Sequence, residues 1–130
     1  MGTTSLYSTE QCIRKCLECY QICTEYAMNY CLEHGDRHAE PVHLRLMHNC
    51  ADICNLAAKF MLSHSAFHGK LCAVCADVCE ACAHSCEEIG QMDECVKTCR
   101  ECAATCLQMA GATPGRELAR GEAHRFTAPM

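Results

Sequence analysis

Residues 71–86 read LCAVCADVCEACAHSC, five cysteines in sixteen positions at spacings of three, four, three and four. On a helix turning about 100° per residue, Cys72, Cys75, Cys79, Cys82 and Cys86 fall within an arc of roughly 80° and extend about 21 Å along the axis. They form one stripe. Residues 93–106, DECVKTCRECAATC, repeat the device with Cys95, Cys99, Cys102 and Cys106, and QCIRKCLECYQIC repeats it with Cys12, Cys16, Cys19 and Cys23. Each of these stripes spans about 60°. Cys31 lies nearly a right angle off the last one and is expected on its flank.

A fourth segment varies the theme. Its seam runs His43, Met47, Cys50, Cys54, Ala57, Met61 and His64, at alternating spacings of four and three. Every member except the alanine is a soft or borderline metal ligand. Met92 and Met109 extend the seam of the last segment at both ends.

Gly35, Gly69, Gly90 and Gly111 punctuate the chain, and glycine past a periodic stretch is a helix stop. Ser8 with Gln11 offers a capping box, Asp36 or Pro41 opens a second helix, Ser65 a third and Asp93 a fourth. Helices are predicted over 9–34, 38–64, 67–89 and 94–110. The short connections make neighbours antiparallel, so the expected fold is all-α, an up-down-up-down four-helix bundle over residues 1–111. The stripes occupy the positions such a bundle turns inward, which gives a cysteine-lined core. Arg14, Lys15, Glu18, Asp52, Asp77, Glu80, Lys97, Arg100 and Glu101 lie elsewhere and read as a solvated face. Residues 112–130, with Pro114, Gly115, Gly121 and Pro129, form a C-terminal tail of weak periodicity; His124 within it reads as solvated.

The 130 residues include 16 cysteines but only 3 Phe, 4 Tyr and no Trp. Cysteine stands in for the usual bulky core formers. At about 12% it exceeds the level of small secreted disulfide scaffolds, yet MGTTSLYSTEQ has neither the basic nor the apolar region of a signal peptide. Leu6 also breaks the myristoylation pattern, and no apolar run reaches membrane-spanning length. The expectation is a cytoplasmic protein with reduced thiols. A net charge of −5 without a basic cluster argues against nucleic acid and anionic membrane as partners.

Two bland explanations compete for the stripes. Free cysteine packs as a small hydrophobe, which explains one or two core thiols but not thirteen on three matching seams and two more on a fourth. Disulfides need Cβ atoms about 3.5–4.5 Å apart, whereas i,i+3 and i,i+4 neighbours stand about 5–6 Å apart. For the methionines and histidines, core filling and solvation are the ordinary roles.

Four C-x-x-C pairs (Cys16/Cys19, Cys72/Cys75, Cys79/Cys82, Cys99/Cys102) suggest zinc in isolation, but structural zinc sites are discrete tetrahedra usually set on turns. The bacterial iron–sulfur run C-x-x-C-x-x-C-x-x-x-C-P is absent. Continuous helical ladders suit Cu(I), which takes soft thiolates and thioethers at low coordination number. With every sulfur bridging two coppers, capacity approaches one Cu(I) per cysteine, on the order of fifteen for the chain.

CIRKCLECYQIC, CADIC, CAVCADVCEACAHSC and CVKTCRECAATC, on glycine-bounded helices over about residues 9–110, resemble the bacterial four-helix-bundle copper storage proteins. The start of the chain makes it similar to their cytosolic branch. The resemblance implies reversible storage of many Cu(I) ions per bundle and a homotetramer; no Ser-His-Asp, Cys-His or paired-carboxylate arrangement in the sequence argues for an enzyme. The ligands would be the 16 cysteines, from Cys12 to Cys106, joined by His34, His43, Met47, Met61 and His64. It further implies a His/Met mouth at one end, formed either by Met28, Cys31, His34, His43, Met47 and Met92 or by Met61, His64 and Met109. A copper chaperone or small chelator would load and unload the store. The alternatives are an iron–sulfur electron carrier, brown and holding few irons, and a zinc-stabilised interaction module that unfolds on chelation.

Overall fold

A computed structural model describes residues 8–111. The predicted tail at 112–130, His124 and the first seven residues lie outside the described residues. Among those described, every element is helical. Helix α1 (Thr9–Glu25) runs on through a π-helical turn (Tyr26–Tyr30) into α2 (Cys31–His34). A 3₁₀ turn (Asp36–Ala39) leads to α3 (Pro41–Leu62), followed by α4 (His68–Ile89) and α5 (Asp93–Gly111). The α1–α2 limb, α3, α4 and α5 make the four walls of the bundle. Each long helix packs on its neighbours in sequence, and α5 closes back on α1.

The end signals act much as chemistry dictates. Gln11 N–H donates to Ser8 Oγ at 3.0 Å while Ser8 N–H donates to Gln11 Oε1 at 2.8 Å, a complete capping box. Pro41 takes the first turn of α3, where its missing N–H costs nothing. Gly35 (φ +78°) and Gly90 (φ +92°) turn the chain after α2 and α4 in conformations that L side chains rarely adopt. Other signals act differently. Gly69 stops nothing and sits inside the first turn of α4. Ser65 caps no helix; its Oγ accepts from Phe67 N–H at 3.0 Å in the connecting turn. Asp93 is the first residue of α5 rather than the residue before it, which places its carboxylate near the positive end of the helix.

Among the described residues the hydrophobic core contains sixteen cysteines, seven alanines and four methionines, and no Leu, Ile, Val or Phe. Leu17, Leu56, Val74 and Leu107 face outward instead. A bundle filled with such small side chains buries little apolar area per residue. Its helices are therefore held less firmly than those of a leucine-filled bundle of the same length. No described helix is long and apolar enough to cross a membrane.

Candidate metal centre

All sixteen cysteines are free thiols at 0% exposure. For all but Cys31 the helical period explains this: each stripe is narrow enough to point wholly at the bundle axis. Interdigitation across the axis then makes one connected lattice. From one end, Cys12 meets Cys106 at 3.8 Å and Cys106 meets Cys16 at 3.5 Å. Cys16 meets Cys102 at 3.7 Å and Cys102 meets Cys54 at 3.8 Å. Cys54 touches Cys75 (3.7 Å) and Cys79 (3.5 Å), and Cys79 reaches Cys50 at 3.7 Å. Cys50 and Cys99 both contact Cys19, at 3.8 and 3.6 Å, and Cys99 leads to Cys23 at 3.6 Å. Cys23 hands on to Cys95 (3.9 Å), and Cys95 to Cys86 (3.8 Å).

Thioethers sit at the ends of this line. Met47 Sδ lies 3.5 Å from Cys82 and 3.4 Å from Cys86, and Met61 Sδ lies 3.9 Å from Cys72. Cys12, Cys72 and Cys106 form a three-thiol group at the Met61 end, where Thr9 Oγ1 donates to Met109 Sδ at 3.7 Å. At the Met47 end, His43 Nε2 faces Cys31 Sγ at 3.7 Å, and His43 Nδ1 pairs with Ser85 Oγ at 2.8 Å. Met92 is buried.

Cys31 departs from expectation, being buried rather than on the flank. The π turn is the cause. Its wider i→i+5 closure, with Cys31 N–H donating to Tyr26 O, advances each residue by less than an α-helical step. The accumulated lag swings Cys31 back toward the axis behind Cys23 and Ala27. Asn29 Nδ2 donates to the Glu25 carbonyl at 3.1 Å within the widened turn.

His43, Met47 and Met61 are buried with the lattice, whereas His34 and His64 are exposed. The His34 ring packs at a tilt of 41° against His38, with centroids 4.0 Å apart. His64 follows the end of α3 in a left-handed conformation (φ +57°), so the four-and-three spacing no longer governs its direction. Met28, expected at the mouth, is 51% exposed. Sequence reading missed Ser85 and His38, the latter buried with Nε2 3.1 Å from the Gly90 carbonyl. Neither carries a periodic signal, because each is defined by a partner on another element.

Burial pushes the Cys31 thiol up to about 11, with Cys95 and Cys82 adding to the rise. Inside the lattice, neighbouring thiols hold one another in unlike states. Hydrogen bonds with Cys102 and Cys23 pull Cys19 far down, while Cys99 is pushed far up by Cys19 and Cys23. A thiolate surrounded by S–H donors is stabilised at its neighbours' expense. Burial also lowers His43, which favours the neutral ring that ligates metals. The tube is therefore a buried, continuous array of soft donors whose charge must be balanced by protons or by metal cations.

Comparison with known proteins places this geometry. The sequence model of the family described as copper storage protein matches residues 6–111. An uncharacterized cysteine-rich protein of Bacillus subtilis, YhjQ, is 40% identical over 70 residues, covering 54% of this chain and 64% of that protein. The aligned part thus spans a little under two thirds of that relative's length. Among solved structures, the Nmul_A1745 protein of Nitrosospira multiformis superposes with a TM-score of 0.79 at 53% identity, covering 80% of this chain and 95% of that one. The Cu(I)-bound copper storage protein BsCsp3 gives a TM-score of 0.74 at 39% identity, with coverages of 79% and 98%. The apo form of copper storage protein 3 from Bacillus subtilis gives 0.68 at 38%, with coverages of 80% and 100%.

Proposed function

Because the chain belongs to the copper storage protein family, we propose that it stores Cu(I), many ions per chain, on the thiol lattice inside its bundle. The observation that carries this reading is the unbroken run of sulfur contacts from Cys12 to Cys86, all of it buried. A catalytic site uses a few convergent groups, and this interior has sixteen buried thiols. It is the interior of a store rather than of an enzyme.

The chemistry follows from charge. Each thiol loses its proton when it binds Cu(I), and a thiolate bridging two coppers leaves a nearly neutral array. The ligands are the sixteen cysteines with Met47, Met61 and His43. Copper enters at the Met47 end, where His43 Nε2 and the Cys31 thiol face each other. His34 and His64, exposed at opposite ends, are available to meet copper before it is buried. Ser85 fixes the His43 ring so that Nε2 faces Cys31. The location is the cytoplasm, where thiols stay reduced. Loading and release pass through a copper chaperone or a small chelator. Assembly as a homotetramer agrees with the outward Leu17, Leu56, Val74 and Leu107.

The test is an anaerobic titration of reduced apo-protein with Cu(I) against a chromophoric chelator. A sharp endpoint above about ten ions per chain is expected, given up to about one copper per bridging thiolate. An endpoint of about one to four, the stoichiometry of discrete thiolate sites, overturns it.

A further inference from the structure

We propose that the same interior has a second, low-capacity mode: two tetrathiolate sites per chain for tetrahedral divalent d¹⁰ cations, zinc being the type. One site is Cys19, Cys23, Cys50 and Cys99; the other is Cys54, Cys75, Cys79 and Cys102. No segment of the sequence announces them, because each is assembled from three helices. The first draws two ligands from α1 and one each from α3 and α5, and the second draws two from α4 and one each from α3 and α5.

The edge lengths are those zinc requires. A tetrahedron with Zn–S bonds of about 2.3 Å has S···S edges of roughly 3.8 Å. In the first group five of the six edges measure between 3.6 and 4.0 Å: Cys19–Cys23 3.9, Cys19–Cys50 3.8, Cys19–Cys99 3.6, Cys23–Cys99 3.6 and Cys50–Cys99 4.0 Å. In the second, Cys54–Cys75 is 3.7, Cys54–Cys79 3.5, Cys54–Cys102 3.8 and Cys75–Cys79 3.9 Å. The remaining edges lie within 4.8 Å. A cation can enter each centre with little helix movement.

Stoichiometry follows from sharing. Four four-thiol groups exist among the described residues, the other two being Cys16/Cys75/Cys102/Cys106 and Cys19/Cys50/Cys54/Cys79. They overlap, and no more than two are free of a common cysteine. A cation that demands four thiolates of its own therefore stops at two per chain, whereas one that shares thiolates does not. Binding expels four thiol protons per Zn²⁺, forms four Zn–S bonds and leaves each centre with a net charge of −2 in a buried core, which is costly. Cu(I) on shared thiolates avoids that charge and displaces zinc.

The test uses cobalt(II) and zinc(II) on the reduced full-length protein with no copper present, so its failure leaves the copper reading standing. Cobalt is expected to develop a tetrathiolate absorption spectrum that saturates at two ions per chain, is bleached by zinc and is abolished by Cu(I). C102S should saturate at one, since the two groups that survive it share Cys19 and Cys50. C19S/C102S touches all four groups and should show no tetrathiolate band. C86S, equally buried but in none of the groups, should still saturate at two and serves as the folding control beside circular dichroism. A wild-type protein without the tetrathiolate spectrum, a C102S variant that still saturates at two, or loss of a site in C86S overturns the proposal.

Discussion

Met47 touches two thiols of α4 at once, at 3.4 and 3.5 Å, so it lies across the line of sulfurs rather than beside it. Met47→Leu conserves volume and should cost less than about 1.5 kcal/mol of fold stability. Without the thioether, copper should escape to excess chelator faster, on the order of tenfold for a lost contribution of about 1.4 kcal/mol; stopped-flow release from loaded protein measures this. Cys31 makes a pH prediction. Its thiol is raised from 9.0 to about 11 in the folded protein, so folding favours the protonated form. That contribution is whole below the ordinary thiol value near 9 and is lost as pH rises through about 11. Denaturant midpoints of the reduced apo-protein should hold level up to pH 9 and fall toward pH 11, and Cys31→Ala should fall less steeply; a midpoint that rises across this window contradicts the assignment.

At the scale of elements, the π turn accounts for a residue the helical wheel misplaces. Deleting Asn29 from YAMNY lets the limb close as an ordinary α-helix. Cys31 then stands seven residues after Cys23, a position only about 20° off its stripe. The variant should fold and keep Cys31 slow to react with thiol reagents, read by the kinetics of labelling. Rapid labelling of Cys31 would show that the turn does more than absorb one residue of helical phase. Gly90→Ala meets no atom within 4 Å, so its cost is purely that of a backbone held at φ +92°, ψ 165°, about 1–3 kcal/mol by denaturant unfolding. The stripes were legible in the sequence because the helical period is indifferent to what packs against it. The seats of Cys31 and His64 were not, because one follows a π turn and the other a helix end, where that period no longer holds.

At the scale of the molecule, the thin core makes the cargo part of the fold. Sixteen cysteines, seven alanines and four methionines supply little apolar burial, so bound metal should contribute much of the stability of the loaded state. A ligand at a hundred times its Kd contributes about 2.7 kcal/mol per site, and about 1 kcal/mol moves the Tm of such a domain by 4–8 °C. Loading should therefore raise Tm by more than about 10 °C in calorimetry. The contacts between helices, on which both storage modes depend, were beyond a single-sequence reading. Spacing along one helix fixes which face a thiol takes but not its height against thiols on another. Cys54 and Cys102 lie 48 positions apart in sequence yet 3.8 Å apart in space. The most direct test of the account is anomalous diffraction at the copper edge from crystals of fully loaded protein. It predicts a file of copper peaks between the thiols from the Met47 end to the Met61 end of the tube. Copper confined to surface histidines, with the cysteine interior empty, would contradict it.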